Sequence, residues 1–166
     1  MRLQNKVALV TGGAQGIGLA ISQGYAAEGA HVVIADINLD AAERAARGIA
    51  GRARAMHLDV TEQASIDRVV DDAVAEFGRI DVLVNNAAIF DLAPVEEVTR
   101  ESFRRIMAVN VEGLFFVMQA VAKKMLADGK GGRIINMSSQ AGRRGEPLVS
   151  AYCASKAAVI PDRHSS

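Results

Sequence analysis

Short apolar runs alternate along this chain with longer segments of helical period, the order expected of repeated strand–helix–strand units. The apolar runs predict five strands, at residues 6–11, 31–36, 53–58, 81–85 and 133–138. Four of them consist almost entirely of Val, Ile, Leu and Ala instead of alternating with polar residues. Strands covered by helices on both faces have this composition, so the pattern predicts a parallel sheet.

The segments between the strands predict helices at residues 17–28, 41–49 and 62–77, a long pair from about 100 to 126, and a helix that begins near Ser150. Asp40 with Glu43, and Thr61 before Glu62, are predicted N-terminal caps. Three glycines mark predicted helix ends: Gly29, Gly78 and Gly129. Because strand–helix–strand crossovers are right-handed, we expect an α/β fold with a doubly wound parallel sheet in a three-layer α/β/α sandwich.

The segment 113–118 is apolar nearly all round, so we expect this helix to be buried on both sides. A partner subunit and a further part of the same domain are the two candidates for covering it. The longest mostly apolar run, residues 113–122, is too short to span a bilayer, and we expect no membrane partner.

Composition narrows the class of protein further. The chain has 166 residues, 50% hydrophobic and 23% charged, which is the ordinary range of one globular domain. Its 19 basic and 19 acidic residues sum to zero charge, so no nucleic-acid partner is expected. The lone Cys153 cannot form an internal disulfide, and only four apolar residues, 7–10, follow the N-terminus, so we expect a cytoplasmic protein. Histidines 31, 57 and 164 are scattered, and no metal site is expected.

A glycine-rich turn follows the first predicted strand and leads directly into a helix. Its glycines are Gly12, Gly16 and Gly18, a spacing that departs from the common G-x-G-x-x-G fingerprint. A helix N-terminus offers unpaired N–H groups and partial positive charge, and glycine lets the backbone approach a pyrophosphate closely. The segment predicts a dinucleotide site, and the alternative is a glycine-rich turn without a ligand.

Asp36 ends the second predicted strand, 18 positions after Gly18. A carboxylate there can accept hydrogen bonds from the adenosine ribose and would repel the extra phosphate of NADP. Neither Gln15 nor Ile37 supplies a cation for that phosphate, so NAD is the predicted coenzyme. The alternative is a solvated aspartate at a strand end.

Tyr152 and Lys156 are four residues apart and face the same side of the last predicted helix. An ammonium about 4 Å from a phenol stabilises the phenolate enough to bring its pKa towards neutral pH. Ser138 and Ser139 close the fifth predicted strand, where an open parallel sheet binds its ligands. A serine hydroxyl there can bond the substrate oxygen. Coincidence for the Tyr–Lys pair and capping for the serines are the alternatives.

With these motifs the chain resembles the short-chain dehydrogenase/reductase family, of the NAD-dependent type with a Rossmann-type fold, over residues 1 to about 160. The resemblance assigns cofactor binding to Gly12, Gln15, Gly16, Ile17, Gly18, Asp36, Asp59, Val60, Asn86, Ala87, Tyr152 and Lys156. Residues 85–88 match the family motif Asn-Asn-Ala-Gly, with Ala88 in place of its glycine.

The same resemblance implies a catalytic tetrad of Asn110, Ser139, Tyr152 and Lys156. Asn110 would hold a helix kink and a proton-relay water, and Ser139 would orient the substrate oxygen. Tyr152 would be the acid/base, while Lys156 would lower its pKa and bind the nicotinamide ribose.

Within the family, residues 85–94 and 139–146 resemble the bacterial polyol (sorbitol) dehydrogenases. That implies hydride transfer to nicotinamide from a secondary alcohol, a sugar alcohol such as sorbitol or galactitol. Gln140, Arg143 and Glu146 are candidate substrate contacts, and an ordinary charged surface loop is the alternative. The family also implies a homo-oligomer. The competing function is a catalytically impaired coenzyme-binding fragment.

The resemblance ends after Val159. Pro161 disfavours a helix at Ile160, and residues 161–166 read as a polar tail. We therefore expect residues 1–160 to form an incomplete NAD-binding domain, C-terminally truncated after the fifth strand and the start of the next helix, by a frameshift or as a natural short form. The fifth strand would then be a sheet edge, and the truncation would weaken the expected oligomer.

Overall fold

A computed structural model describes residues 1–49 and 51–160 of the chain. Five strands form one sheet: β1 (Val7–Thr11), β2 (His31–Asp36), β3 (Ala53–His57), β4 (Val82–Asn85) and β5 (Arg133–Asn136). The order across the sheet is β3-β2-β1-β4-β5, and every neighbouring pair is parallel. The predicted parallel sheet is confirmed. β5 ends at Asn136 and not at Ser138, because its ladder partner β4 ends at Asn85.

Six α-helices connect and follow the strands: α1 (Gly16–Ala27), α2 (Leu39–Arg47), α3 (Gln63–Phe77), α4 (Arg100–Met107), α5 (Leu114–Asp128) and α6 (Ser150–Ala158). Short 3-10 turns lie at Val95–Glu97 and Gln140–Gly142. The predicted pair of helices near 100–126 is instead one helical run, Arg100–Asp128, with a π-helical turn at Ala108–Gly113 between α4 and α5. The extra residue of a π turn bends a helix without the loop that two separate helices need.

Two of the predicted caps are wrong. Asn38 caps α2, where its side chain accepts a hydrogen bond from Ala41 N–H, and Asp40 lies inside the first turn. Thr61 donates its hydroxyl to Asp59 instead of capping α3. At α2 a neighbouring polar side chain of similar length takes the capping position, whereas no side chain caps α3 within the described chain. The glycine stops are confirmed: Gly78 and Gly129 end α3 and α5 in left-handed conformation, and Gly29 follows α1 at φ +94°.

The core lies on both faces of the sheet. Alternate residues of β1, among them Leu9, pack with α3 and α5, while Val10 and its neighbours pack with α1 and α2. Buried side chains such as Val69 and Val121 cover the first face, and both are nearly inaccessible to solvent. This confirms the three-layer α/β/α sandwich, and it places the carboxyl ends of all strands at one edge of the molecule.

The apolar helix is not buried on both sides within the described chain. Val117 and Val121 face the sheet, whereas Phe115 on the opposite side of α5 is 48% exposed. By length and composition alone, the run Arg100–Asp128 is long and apolar enough to cross a membrane. Of its most apolar 18-residue stretch, 33% is buried. Its buried face belongs to the core beneath the sheet.

β5 is an edge strand of the described sheet and pairs with β4 alone. Ile135 at its centre is 39% exposed, and an open groove of 740 Å³ runs between it and Tyr25 of α1. The predicted polar tail, residues 161–166, lies outside the described residues.

Asp81, just before β4, bonds the start of β1 and the neighbouring Arg79 at the amino end of the sheet. Its nearly buried carboxylate accepts from Val7 N–H at 2.9 Å and pairs with Lys6 at 3.2 Å and Arg79 at 2.7 Å. We expect Asp81→Asn to lower the free energy of unfolding by about 3 kcal/mol, because it leaves the partly buried guanidinium without its closest counter-charge. Urea unfolding measures this, with Glu43→Gln as the control, since its exposed pair with Arg47 is worth about 0.5 kcal/mol at most. Equal losses in the two variants would contradict this view of Asp81.

Candidate active site

Three glycines shape the turn between β1 and α1, two by their backbone conformation and one by a close approach. Gly12 and Gly16 have φ values of +60° and +53°, where residues with a side chain are strained. A Cβ on Gly18 would lie 2.2 Å from the Gly12 carbonyl oxygen and 2.6 Å from the Asn86 amide nitrogen. The turn therefore folds back against the first turn of α1, and no larger residue fits at Gly18.

The amino end of α1 has the character of an anion site. Its N-cap residue, Gln15, makes no side-chain capping bond within the described chain, and no acidic residue lies in the first turn. No described atom beyond the turn and the helix backbone lies within 4 Å of the position that a Cβ on Gly16 would take. Unpaired N–H groups, the positive end of the helix dipole and open space together fit the pyrophosphate of a dinucleotide.

Thr11 and Asn86 fasten this turn to the end of β4. The Thr11 hydroxyl accepts from the N–H groups of Asn86 and Ala87 at 3.1 and 3.0 Å. In return the Asn86 side-chain amide donates to the carbonyls of Thr11 and Gly12, both at 3.0 Å. Because all these groups are partly buried, the turn and the segment after β4 are fixed relative to each other.

Asp36 also contacts the turn. One carboxylate oxygen accepts from Ala14 N–H at 3.1 Å and the other from Asn38 N–H at 3.0 Å. Asp59 bonds Thr61 at the end of β3, and Val60 beside it is in contact distance of Gly113, where a Cβ would lie 2.8 Å from the Val60 side chain. The backbone around Asp36 thus fixes the position of its carboxylate, and its role in coenzyme binding stays a prediction.

Tyr152 and Lys156 lie on one side of α6. The Lys156 ammonium is 5.7 Å from the centre of the Tyr152 ring and donates to the Met137 carbonyl at 2.7 Å. Ser138 donates its hydroxyl to the Lys156 carbonyl at 2.9 Å. The Met137 carbonyl and the Ser138 side chain, directly after β5, thus bond the ammonium and the backbone carbonyl of Lys156.

Asn110 lies in the π-helical turn and is completely buried. Its side chain accepts from Ile89 N–H and donates to the Ile89 carbonyl, both at 2.8 Å. The same amide donates to the Ser155 hydroxyl at 3.0 Å, and Ser155 donates to the Tyr152 carbonyl at 2.8 Å. One hydrogen-bonded chain therefore connects the loop after β4 with the helix that carries the phenol.

Ser139 caps the 3-10 turn Gln140–Gly142, accepting from Ala141 N–H at 3.2 Å. Gln140 donates to Glu146 at 3.0 Å, so two of the candidate substrate contacts bond each other. Ser139, Gln140 and exposed Arg143 line one open groove of 640 Å³ at the end of β5. The capping alternative for Ser139 is observed, and it leaves the hydroxyl hydrogen free to donate elsewhere.

The sequence also matches a family of known proteins. A family model described as short chain dehydrogenase matches residues 6–161. The chain belongs to the short-chain dehydrogenase family.

Two curated proteins are similar to this chain over nearly its whole length. Sorbitol dehydrogenase of Cereibacter sphaeroides is 61% identical over 160 residues, covering 96% of this chain and 62% of that protein. Galactitol 2-dehydrogenase of Agrobacterium fabrum is 56% identical over 166 residues, covering 100% of this chain and 65% of that protein. The chain thus spans a little under two thirds of the length of these relatives.

The solved structure of a xylitol dehydrogenase has the same fold. NAD⁺-bound xylitol dehydrogenase superposes with a TM-score of 0.92 at 37% identity, covering 96% of this chain and 62% of the xylitol enzyme. Within the described residues of our chain, no cluster of three or more His, Cys, Asp or Glu side chains could hold a metal ion.

The structure brings the predicted site residues of this chain into two connected groups. The first group surrounds the glycine-rich turn. The second consists of Asn110, Ser155 and Tyr152, connected by hydrogen bonds, with Lys156 beside Tyr152. Ile17 is 65% exposed at the mouth of the turn, next to Gln15. Arg143 is exposed, and none of the contacts described above involves it, so its role as a substrate contact stays a prediction.

The sequence did not indicate Ser155 and Phe90 as neighbours of Tyr152. Ser155 is fully buried between Asn110 and Tyr152. A polar residue one position before Lys156, on the buried side of the helix, was the available signal. Phe90 stands edge-on to the Tyr152 ring with 5.9 Å between the ring centres, which no spacing in the sequence indicates.

Burial lowers the pKa of the Lys156 ammonium below its usual 10.5. A lysine with a lowered folded-state pKa destabilises the fold while it is charged, and this penalty disappears as the pH rises from the folded pKa towards 10.5. We therefore expect the stability of Lys156→Met, relative to the native chain, to be highest at neutral pH and to fall as the pH approaches 10.5. Urea unfolding of both proteins across this range measures it, and a difference independent of pH would contradict the prediction.

Proposed function

We propose that this chain is an oxidoreductase that transfers a hydride between a secondary alcohol, a polyol such as sorbitol or galactitol, and NAD. One observation carries the proposal: a single connection, made of hydrogen bonds and the covalent loop after β4, joins the glycine-rich turn at Gly12 to the helix that carries Tyr152. It runs through Asn86, the loop after β4, Asn110 and Ser155. The similarity to polyol dehydrogenases supports the substrate class.

The residues around the turn would hold the coenzyme, and residues 1–160 would form its binding domain. The N–H groups at the start of α1 bind the pyrophosphate, Asp36 accepts from the adenosine ribose, and Asp59 with Val60 borders the adenine. The nicotinamide ring, when bound, supplies the hydride acceptor.

The proton of the alcohol would pass to Tyr152, whose ring lies against Phe90 of the loop after β4. The ammonium of Lys156, 5.7 Å from the centre of the Tyr152 ring, would place positive charge beside the phenol, and Ser139 would donate to the substrate oxygen as negative charge develops there. Asn110 and Ser155 hold α6 in place by the bonds described above.

Asp36 would set the coenzyme preference. We expect Asp36→Ala to weaken NAD binding about tenfold or more, because it removes a charged acceptor of ribose hydrogen bonds, and to narrow the preference over NADP. Titration of both coenzymes by calorimetry measures the two affinities. Asp40→Ala, an exposed carboxylate in the next helix, is the control and should bind NAD as the native chain does. A native chain that prefers NADP would contradict this role of Asp36.

The function is tested by NAD titration followed by assays of NADH formation with sorbitol and galactitol. The proposal expects saturable NAD binding and polyol-dependent NADH formation. Binding of NAD without NADH formation from any secondary alcohol would contradict the catalytic proposal and leave a coenzyme-binding fragment.

A further inference from the structure

Phe90 lies beside the proposed acid/base, yet the proposed mechanism gives it no role. Its side chain is 58% exposed, and its ring meets the Tyr152 ring at an interplanar angle of 63° with 5.9 Å between the centres. Isolated exposed apolar residues are common on protein surfaces. What distinguishes Phe90 from Phe115, which is 48% exposed on α5, is its position against the phenol.

The backbone on both sides of Phe90 is held in place. Ile89 before it exchanges two hydrogen bonds with the buried Asn110 side chain. Asp91 after it accepts from the Ser102 hydroxyl at 2.6 Å and from Arg105 at 2.8 and 2.6 Å. The hydrogen bond from Ser102 has the largest effect and that from Arg105 the next largest, and both lower the pKa of Asp91 below its usual value. The Asp91 carboxylate therefore stays charged at neutral pH. An exposed ring is thus carried by a fixed segment and not by a free loop.

A second loop is fastened to the same segment. Ala93 N–H donates to the Leu148 carbonyl at 2.9 Å, which ties the loop after β4 to the stretch just before α6. Leu148 has φ +65°, a strained conformation for a residue with a side chain, and it is 50% exposed. Backbone strain of this kind persists where the surroundings enforce it, and it is concentrated at functional sites.

From these observations we propose that Phe90 is a specificity-determining substrate contact, an apolar wall beside Tyr152 for the carbon chain of the alcohol. This inference rests on the proposed function. A polyol presents C–H groups as well as hydroxyls, and an aromatic ring buries the C–H side while the hydroxyls stay available to polar groups. An alcohol whose carbon chain extends past the reacting carbon therefore gains from Phe90, and a very short alcohol does not.

The test compares Phe90→Ala and Phe90→Leu with the matched control Phe115→Ala, on sorbitol and on propan-2-ol. We expect Phe90→Ala to lower kcat/KM for sorbitol about 10- to 100-fold, mainly through KM, with Phe90→Leu in between. For propan-2-ol the loss should be about twofold at most. NAD affinity should be unchanged, and Phe115→Ala should resemble the native chain. An equal loss on both alcohols, or none on either, would overturn the proposal.

A binding measurement separates this proposal from the proposed function. If the native chain binds NAD but oxidises neither alcohol, the function fails, and saturation-transfer NMR of sorbitol with the NAD-loaded chain still tests Phe90. Loss of the sorbitol signal in Phe90→Ala, with retention in Phe115→Ala, supports the wall. Equal signals in the native chain and Phe90→Ala, or no sorbitol signal with the native chain, overturn it.

Discussion

Tyr152→Phe is expected to lower kcat for polyol oxidation by about 10²- to 10⁴-fold, the range in which a positioned acid/base contributes. The substitution removes only the hydroxyl, so the packing of the ring against Phe90 and Lys156 is retained. NAD affinity should change little, because the turn at Gly12 and the start of α1 are untouched. Initial rates of NADH formation, with a parallel NAD titration, measure both quantities.

The chain contains its own control for this experiment. Its only other tyrosine, Tyr25, lies on α1 facing the groove beside β5, away from the turn and from α6. Tyr25→Phe makes the same chemical change and should leave kcat within about twofold of the native value. A Tyr152→Phe protein that retains full activity would show that another group carries the proton.

The fold could be predicted because its signals are local or strongly periodic. β2 is a buried, continuous apolar run, and the helix that follows it ends at Gly48. Parallel order then follows from right-handed crossovers. Where two polar residues competed for one role, as Asn38 and Asp40 did at the start of α2, the sequence could not decide between them.

Some residues of the candidate site could likewise be predicted from local sequence, and others could not. The glycines, Asp36 and the Tyr152–Lys156 pair are recognisable because backbone geometry or helical spacing requires those residue types. The framework between them is not local: Asn110 reaches Ile89 and Ser155 across 21 and 45 positions of sequence. Such contacts depend on how the π-helical turn bends the long helix, and no periodicity of the apolar residues encodes that bend.

Gly18→Ala is expected to weaken coenzyme binding more than Asp36→Ala does, raising the Kd for NAD about 100-fold or more. The added Cβ would lie 2.2 Å from the Gly12 carbonyl oxygen, which is backbone and cannot swing aside. The turn must shift to relieve that overlap, at a cost of about 3 kcal/mol, and the shift breaks the bonds between Asn86 and the turn. Calorimetric titration with NAD and urea unfolding measure the two effects.

Gly24→Ala provides the matched control, because it makes the same change in the same helix. No described atom outside that helix lies within 4 Å of its Cβ position. Since alanine favours a helix over glycine, this variant should be about 0.5–1 kcal/mol more stable and bind NAD normally. Opposite signs of the stability change at two glycines six residues apart would locate the constraint in the turn. If Gly18→Ala bound NAD as tightly as Gly24→Ala, the N-terminus of α1 could not be the pyrophosphate site.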